Sequence, residues 1–147
     1  MERYRHSQPG WVILVSMVAV ILLIMLGPSG GNRPMPPMVM NAILGVLVIC
    51  LALFYKLTVV VDDKYLTLKF GFGIIRKKFL LEDIVSTVAA KTTWYNGWGI
   101  HGFGKQWLYN VSGFDVVKVT MKDGRVAWIG TDDKEELLKA LNGIKEH

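Results

Sequence analysis

The chain has 147 residues, is 52% hydrophobic and carries a formal charge of +5, which leaves room for one ordinary domain and a small extra element. Its single cysteine, Cys50, excludes an intrachain disulfide framework. From Lys56 onward fourteen bases face eleven acids, an excess that suits an anionic lipid surface and is too mild to point to nucleic acid.

Residues 1–10 contain Arg3 and Arg5 and are read as a cytoplasmic tail. Residues 11–27 follow with no charge and one hydroxyl, Ser16, and residues 38–55 form a second apolar run broken only by Asn41. At about 1.5 Å of rise per residue each run spans roughly 27 Å, so both are read as transmembrane helices. Residues 28–37, rich in glycine and proline, cannot continue either helix and make a short external loop. Bases outside the pair, Arg3 and Arg5 before it and Lys56, Lys64 and Lys69 after it, outnumber Arg33 within it. They predict a multi-pass protein of the cell membrane with both termini cytoplasmic. A cleaved signal peptide is the rival reading of the first run; Pro28 between Gly27 and Ser29 fits a cleavage site poorly.

From Leu57 the period changes to that of strands. Residues 57–61 and 65–70 alternate on either side of Asp62-Asp63-Lys64 and predict a hairpin. Residues 74–81, with the basic run Arg76-Lys77-Lys78, predict a third strand, and residues 84–90 a fourth. Residues 94–110 hold six aromatics and four glycines and leave room for one or two short strands. Residues 114–121 and 126–130 flank Lys122-Asp123-Gly124-Arg125, whose Asp-Gly pair suits a turn requiring positive φ. Asp132 and Glu135 then suggest a capping box. Leu137, Leu138, Leu141 and Ile144 form one apolar stripe, so a single amphipathic helix closes the chain. With no strand–helix–strand repeat, the fold class is α+β and mostly β.

The hairpin of residues 57–70 after an apolar helix, Phe79-Leu80-Leu81-Glu82-Asp83-Ile84, Trp94-Tyr95-Asn96-Gly97-Trp98-Gly99-Ile100, and Lys122-Asp123-Gly124-Arg125 leading into the last helix together resemble bacterial pleckstrin-homology-like (PH-like) domains of small membrane proteins. The resemblance covers about residues 57–145, within a domain read as residues 57–147. It implies a seven-stranded bent sandwich or partly open barrel capped by the C-terminal helix. It does not carry phosphoinositide binding over, because the first hairpin loop, Asp62-Asp63-Lys64, has two acids and one base.

Little in the chain suggests catalysis. Gly97-x-Gly99-x-x-Gly102 matches a dinucleotide fingerprint, but glycine and aromatics stand where the required helix would start. His6, His101 and His147 are far apart, which leaves no metal-ligand spacing. Ser112 lacks a nucleophile elbow. No enzyme activity, cofactor or metal is expected. The expected function is a membrane-anchored module that binds a protein partner or itself, through a surface of Trp94, Tyr95, Trp98, His101, Lys105 and Trp107. The alternative is a lipid or small ligand held in a groove beside the membrane. Arg76, Lys77 and Lys78 are candidates for contact with anionic lipid. The expected partners are a bilayer and an unidentified protein or second copy, with no nucleic acid.

Overall fold

The alternation that begins at Leu57 has a direct structural outcome. Leu57, Val59 and Val61 lie opposite Phe70, Leu68 and Leu66 on the neighbouring strand, and all six are buried. Burying one such side chain stabilises by about 1.5–3 kcal/mol, and a one-residue slip would turn the whole set outward. The structure, a computed structural model, describes residues 1–27 and 35–143. In chain order its elements are β1 (Glu2–Pro9), α1 (Trp11–Leu26), α2 (Pro37–Phe54), β2 (Lys56–Asp62), β3 (Tyr65–Phe70), β4 (Ile75–Leu80), β5 (Ile84–Lys91), β6 (Gly99–Phe103), β7 (Gln106–Asn110), β8 (Asp115–Met121), β9 (Val126–Gly130) and α3 (Lys134–Asn142).

The strands form two sheets, ordered β1-β2-β3-β4 and β5-β8-β9-β7-β6. Val117, Val119 and Ile129 of the second sheet join the six residues above in one core, and Leu137 and Leu141 of α3 are buried against it. The expected mixed fold with a C-terminal helix is therefore present, with three helices and two sheets. Nine strands replace the expected seven, and among the described residues no strand pair joins the two sheets into a closed barrel. One pairing departs from simple hairpins: β7 runs parallel to β9, because residues 111–114 carry the chain past β9 to β8.

The N-terminal half needs two corrections. Residues Glu2–Pro9 are a strand rather than a tail; they pair antiparallel with β2 from Glu2↔Asp62 to Pro9↔Lys56. Tyr4 and His6 reach α3 from this strand. The multi-pass membrane protein with two cytoplasmic termini is also overturned. Among the described residues one helix, Pro37–Phe54, is long and apolar enough to cross a membrane, while Trp11–Leu26 has only 16 residues. That shorter helix rises about 24 Å, short of a hydrocarbon core of about 30 Å. Both helices extend from a β-sheet core, and none of their residues is buried. They enter and leave it at adjacent points, where the Gly10 N–H donates to the Tyr55 carbonyl at 2.7 Å. Most of the loop expected at 28–37, including Arg33, lies outside the described residues, as do Ile144 of the apolar stripe and His147.

The capping box is not formed either. Asp133, not Asp132, is the cap residue of α3, and its own N–H donates to Thr131 Oγ1 at 3.0 Å. Both carboxylates instead face β1. Asp132 Oδ1 lies 2.5 Å from His6 Nε2, and the Tyr4 hydroxyl donates to Asp133 Oδ2 at 3.2 Å.

Candidate functional site

The aromatic–glycine stretch folds as a short turn followed by a hairpin at the edge of the five-stranded sheet. Trp94–Asn96 form a single 3-10 turn, fixed by a hydrogen bond from Asn96 Nδ2 to Thr92 Oγ1 at 3.1 Å. The chain bends back through Gly97 at φ +70 and Gly99 at φ +107, a region open mainly to glycine. Gly102 has a different use. It lies opposite Trp107, and a Cβ there would sit 3.0 Å from the indole ring, so the missing side chain makes room for the tryptophan. The residues after Gly102 continue strand β6 rather than start a helix, so the fingerprint context is absent in three dimensions as well.

The six expected surface residues do not act as one patch. Trp94 and Tyr95 are 72% and 71% exposed and pack edge to face with ring centroids 5.7 Å apart. Trp98 is half-buried; its Nε1 donates to the Gly113 carbonyl at 3.2 Å and its ring lies 6.0 Å from Phe114. His101 is exposed, with Nε2 2.7 Å from the Trp98 carbonyl, so it braces the turn from outside. Trp107 stacks on Tyr109 and lines a small opening between the two sheets with Lys77 and Arg125. Lys105 is exposed in the β6–β7 turn. Trp94 and Tyr95 are thus available for contact, Trp107 is 43% exposed while stacked on Tyr109, and Trp98 braces a loop.

A cleft of about 200 Å³ lies beside this hairpin, lined by Thr92, Asn96, Phe103, Gln106, Leu108 and Trp128. None of the six expected residues lines it. Trp128 missed notice because it sits in an ordinary strand. Its Nε1 donates to Gln106 Oε1 at 3.0 Å, and Lys118 Nζ lies 5.3 Å from its ring centroid.

The hairpin is anchored through Asn110, which is fully buried. Its Nδ2 donates to the Gly113 carbonyl at 3.0 Å, and its Oδ1 accepts from Ser112 N–H at 3.2 Å. A Cβ on Gly130 would collide with this side chain. A buried amide with both ends satisfied fixes the passage from β7 past β9.

The basic run divides, because successive side chains on a strand point to opposite faces. Arg76 lies among cations of other strands on the outer face of the four-stranded sheet, Lys77 borders the opening between the sheets, and Lys78 Nζ lies 5.4 Å from the Tyr65 ring centroid.

Charge is most constrained elsewhere. The Met1 amine and Arg3 Nε both bond Asp63 and hold its carboxyl below the usual carboxylate range. Asp62 is lowered by the N–H groups of Lys64 and Tyr65, which it accepts at 2.8 and 2.7 Å in the hairpin turn. Burial, then the Asp133 carboxylate, pushes the Tyr4 phenol well above its usual value. Among the described residues no group of three or more His, Cys, Asp or Glu side chains is placed to hold a metal ion. No protein-family model matches the chain, and no curated protein matches it.

Proposed function

We propose that the chain is a non-catalytic, PH-like interaction module that binds a protein partner or another copy of itself through the turn at Trp94 and Tyr95. The observation that carries this reading is the pair of large aromatic rings, both mostly exposed, held on a turn fixed by Thr92 and Asn96. Rigid aromatics lose little conformational freedom on binding and are enriched at interface cores. Two sheets closed by a C-terminal helix support the PH-like reading, with β6 and β7 as an added hairpin. The helix pair supports the association reading: Val15, Leu23, Leu26, Val46 and Ile49 are exposed, with nothing among the described residues covering them, and apolar surface on that scale requires a covering partner.

The test is the mass of the full-length particle and cross-linking from photoreactive groups at positions 94 and 95. The expected result is a complex that Trp94→Ser with Tyr95→Ser dissociates while the thermal midpoint holds. A particle containing one chain and only lipid or detergent, with no cross-link from either position, would overturn the reading. The cleft at Trp128 favours a second reading, the capture of a small ligand. Its volume of about 200 Å³ is below the roughly 300–1,000 Å³ of drug-sized sites, so that ligand would be small.

A further inference from the structure

The outer face of the four-stranded sheet carries a second cleft, of about 250 Å³, to which every strand contributes one cation: Arg5 from β1, Lys56 from β2, Lys69 from β3 and Arg76 from β4. No carboxylate lines it. Lys69 and Arg76 are direct cross-strand partners, an arrangement in which like charges repel and destabilise the sheet. Lys56 and Lys69 are half-buried, and neither forms an ion pair among the described residues, although Lys56 Nζ lies 5.3 Å from the Tyr55 ring centroid. Arg5 reaches only Glu2, at 3.7 Å. Arg76 uses Nε to donate to the Gly73 carbonyl at 2.5 Å, leaving its two terminal nitrogens for another acceptor.

A solvated row of surface bases is the plain alternative. It does not account for like charges set directly opposite each other at Lys69 and Arg76 in a cleft that no carboxylate lines, since an anion between them would offset their repulsion. Arginine forks and lysine ammonium groups converging on one cavity suit an oxyanion with several acceptor oxygens. Phe72, mostly exposed, forms an apolar part of the same wall, which suits an anion carried on a larger organic body. Within the cleft Lys56 opens β2 and Lys69 stands opposite Thr58, whereas Asp62 ends that strand, about 20 Å from Lys56 at roughly 3.3 Å per residue. The cleft is therefore separate from the acidic first hairpin loop. We propose that this cleft binds a phosphate group, carried either by a soluble phosphate ester or by a lipid headgroup. The proposal is independent of the interaction surface at Trp94 and Tyr95.

The test uses the full-length protein with two probes: pyrophosphate in titration calorimetry, and flotation with phosphatidylcholine–phosphatidylglycerol vesicles against phosphatidylcholine vesicles alone. Lys69→Gln with Arg76→Gln should weaken binding at least tenfold, on the order of 1.4 kcal/mol, while Lys77→Gln, on the opposite face of β4, should leave it unchanged. Lys56→Gln is the second variant, used should the double variant lose its cooperative melt. Pyrophosphate binding that these variants remove supports the site with a soluble source. Binding to the anionic vesicles alone, removed by the same variants, supports it with a lipid source. Binding of neither probe, or binding that the variants do not change, overturns the proposal.

Discussion

The outer face of the four-stranded sheet and the aromatic hairpin of the five-stranded sheet are built in opposite ways. The hairpin concentrates its chemistry in one run of sequence, residues 94–110, yet the fold disperses it: Trp94 and Tyr95 go to solvent, Trp98 to a loop brace, Trp107 to the opening between sheets. The basic face gathers four residues spread from Arg5 to Arg76 into one cleft. A local concentration of striking residue types is thus a poor guide to a shared surface in a β fold, where alternation sends neighbours apart and register brings distant residues together.

The largest expected effect breaks the hairpin side of this contrast. Asn110→Ala should strip two hydrogen bonds from a buried passage and cost about 2–3 kcal/mol, by the desolvation of groups left unpaired. Gly130→Ala should cost a similar amount, since a methyl there overlaps the same side chain. Chemical denaturation of both variants checks this, and an unchanged midpoint would show that the hairpin is held from elsewhere. A smaller change is expected from Tyr4→Phe. The Tyr4 phenol is raised, so its contribution is complete below its unfolded value near 10 and is lost as pH rises through the folded value. The native protein should therefore lose stability in alkali more steeply than the variant in parallel melts.

Asp63 gives the mirror case at acid pH. Its carboxyl is lowered, so its contribution is present above about 3.9 and disappears as pH falls through the folded value. Amide protection factors along β1, taken against the intrinsic exchange rate at each pH, should fall on acidification below pH 4 in the native chain, and Asp63→Asn should already show the lower protection at neutral pH. The smallest effect sharpens the other side of the contrast. Trp94→Ser with Tyr95→Ser should shift unfolding by no more than about 0.5 kcal/mol, as is usual for exposed positions away from packed features. A larger loss would make the two rings structural and remove the basis for a contact surface.

Much of the β architecture was legible because it depends on local alternation. The strands from Leu57 to Gly130 and the turn at Gly124, with φ +83, follow their residues closely. The first strand was not legible, because Glu2–Pro9 is polar or charged at nearly every position and shows no apolar alternation, and its partner lies beyond both helices. The parallel β7–β9 pair was also hidden: it arises where residues 111–114 carry the chain past β9, a passage fixed by the buried side chain of Asn110, a residue that reads in sequence as a turn former. The basic cleft needed the register of four strands, which sequence period alone does not supply. The apolar helices were visible as elements, but their length and the strand before them overturned the multi-pass reading.

The interruption of the β1–β2 pair by two helices bears on how the chain acquires its fold. β1 is made before its partner β2, so it cannot form this pair until both helices have been synthesised. Closing so long a loop from a flexible chain is slow. Packing of α1 on α2 shortens the effective loop, because it brings Gly10 and Tyr55 together as the helices meet. β1 is the edge strand of its sheet, so the pairs from β2 to β4 do not depend on it. Tyr4 and His6 meet Asp133 and Asp132 only once the segment just before α3 is in place, so their contacts report completion of the molecule rather than its nucleation.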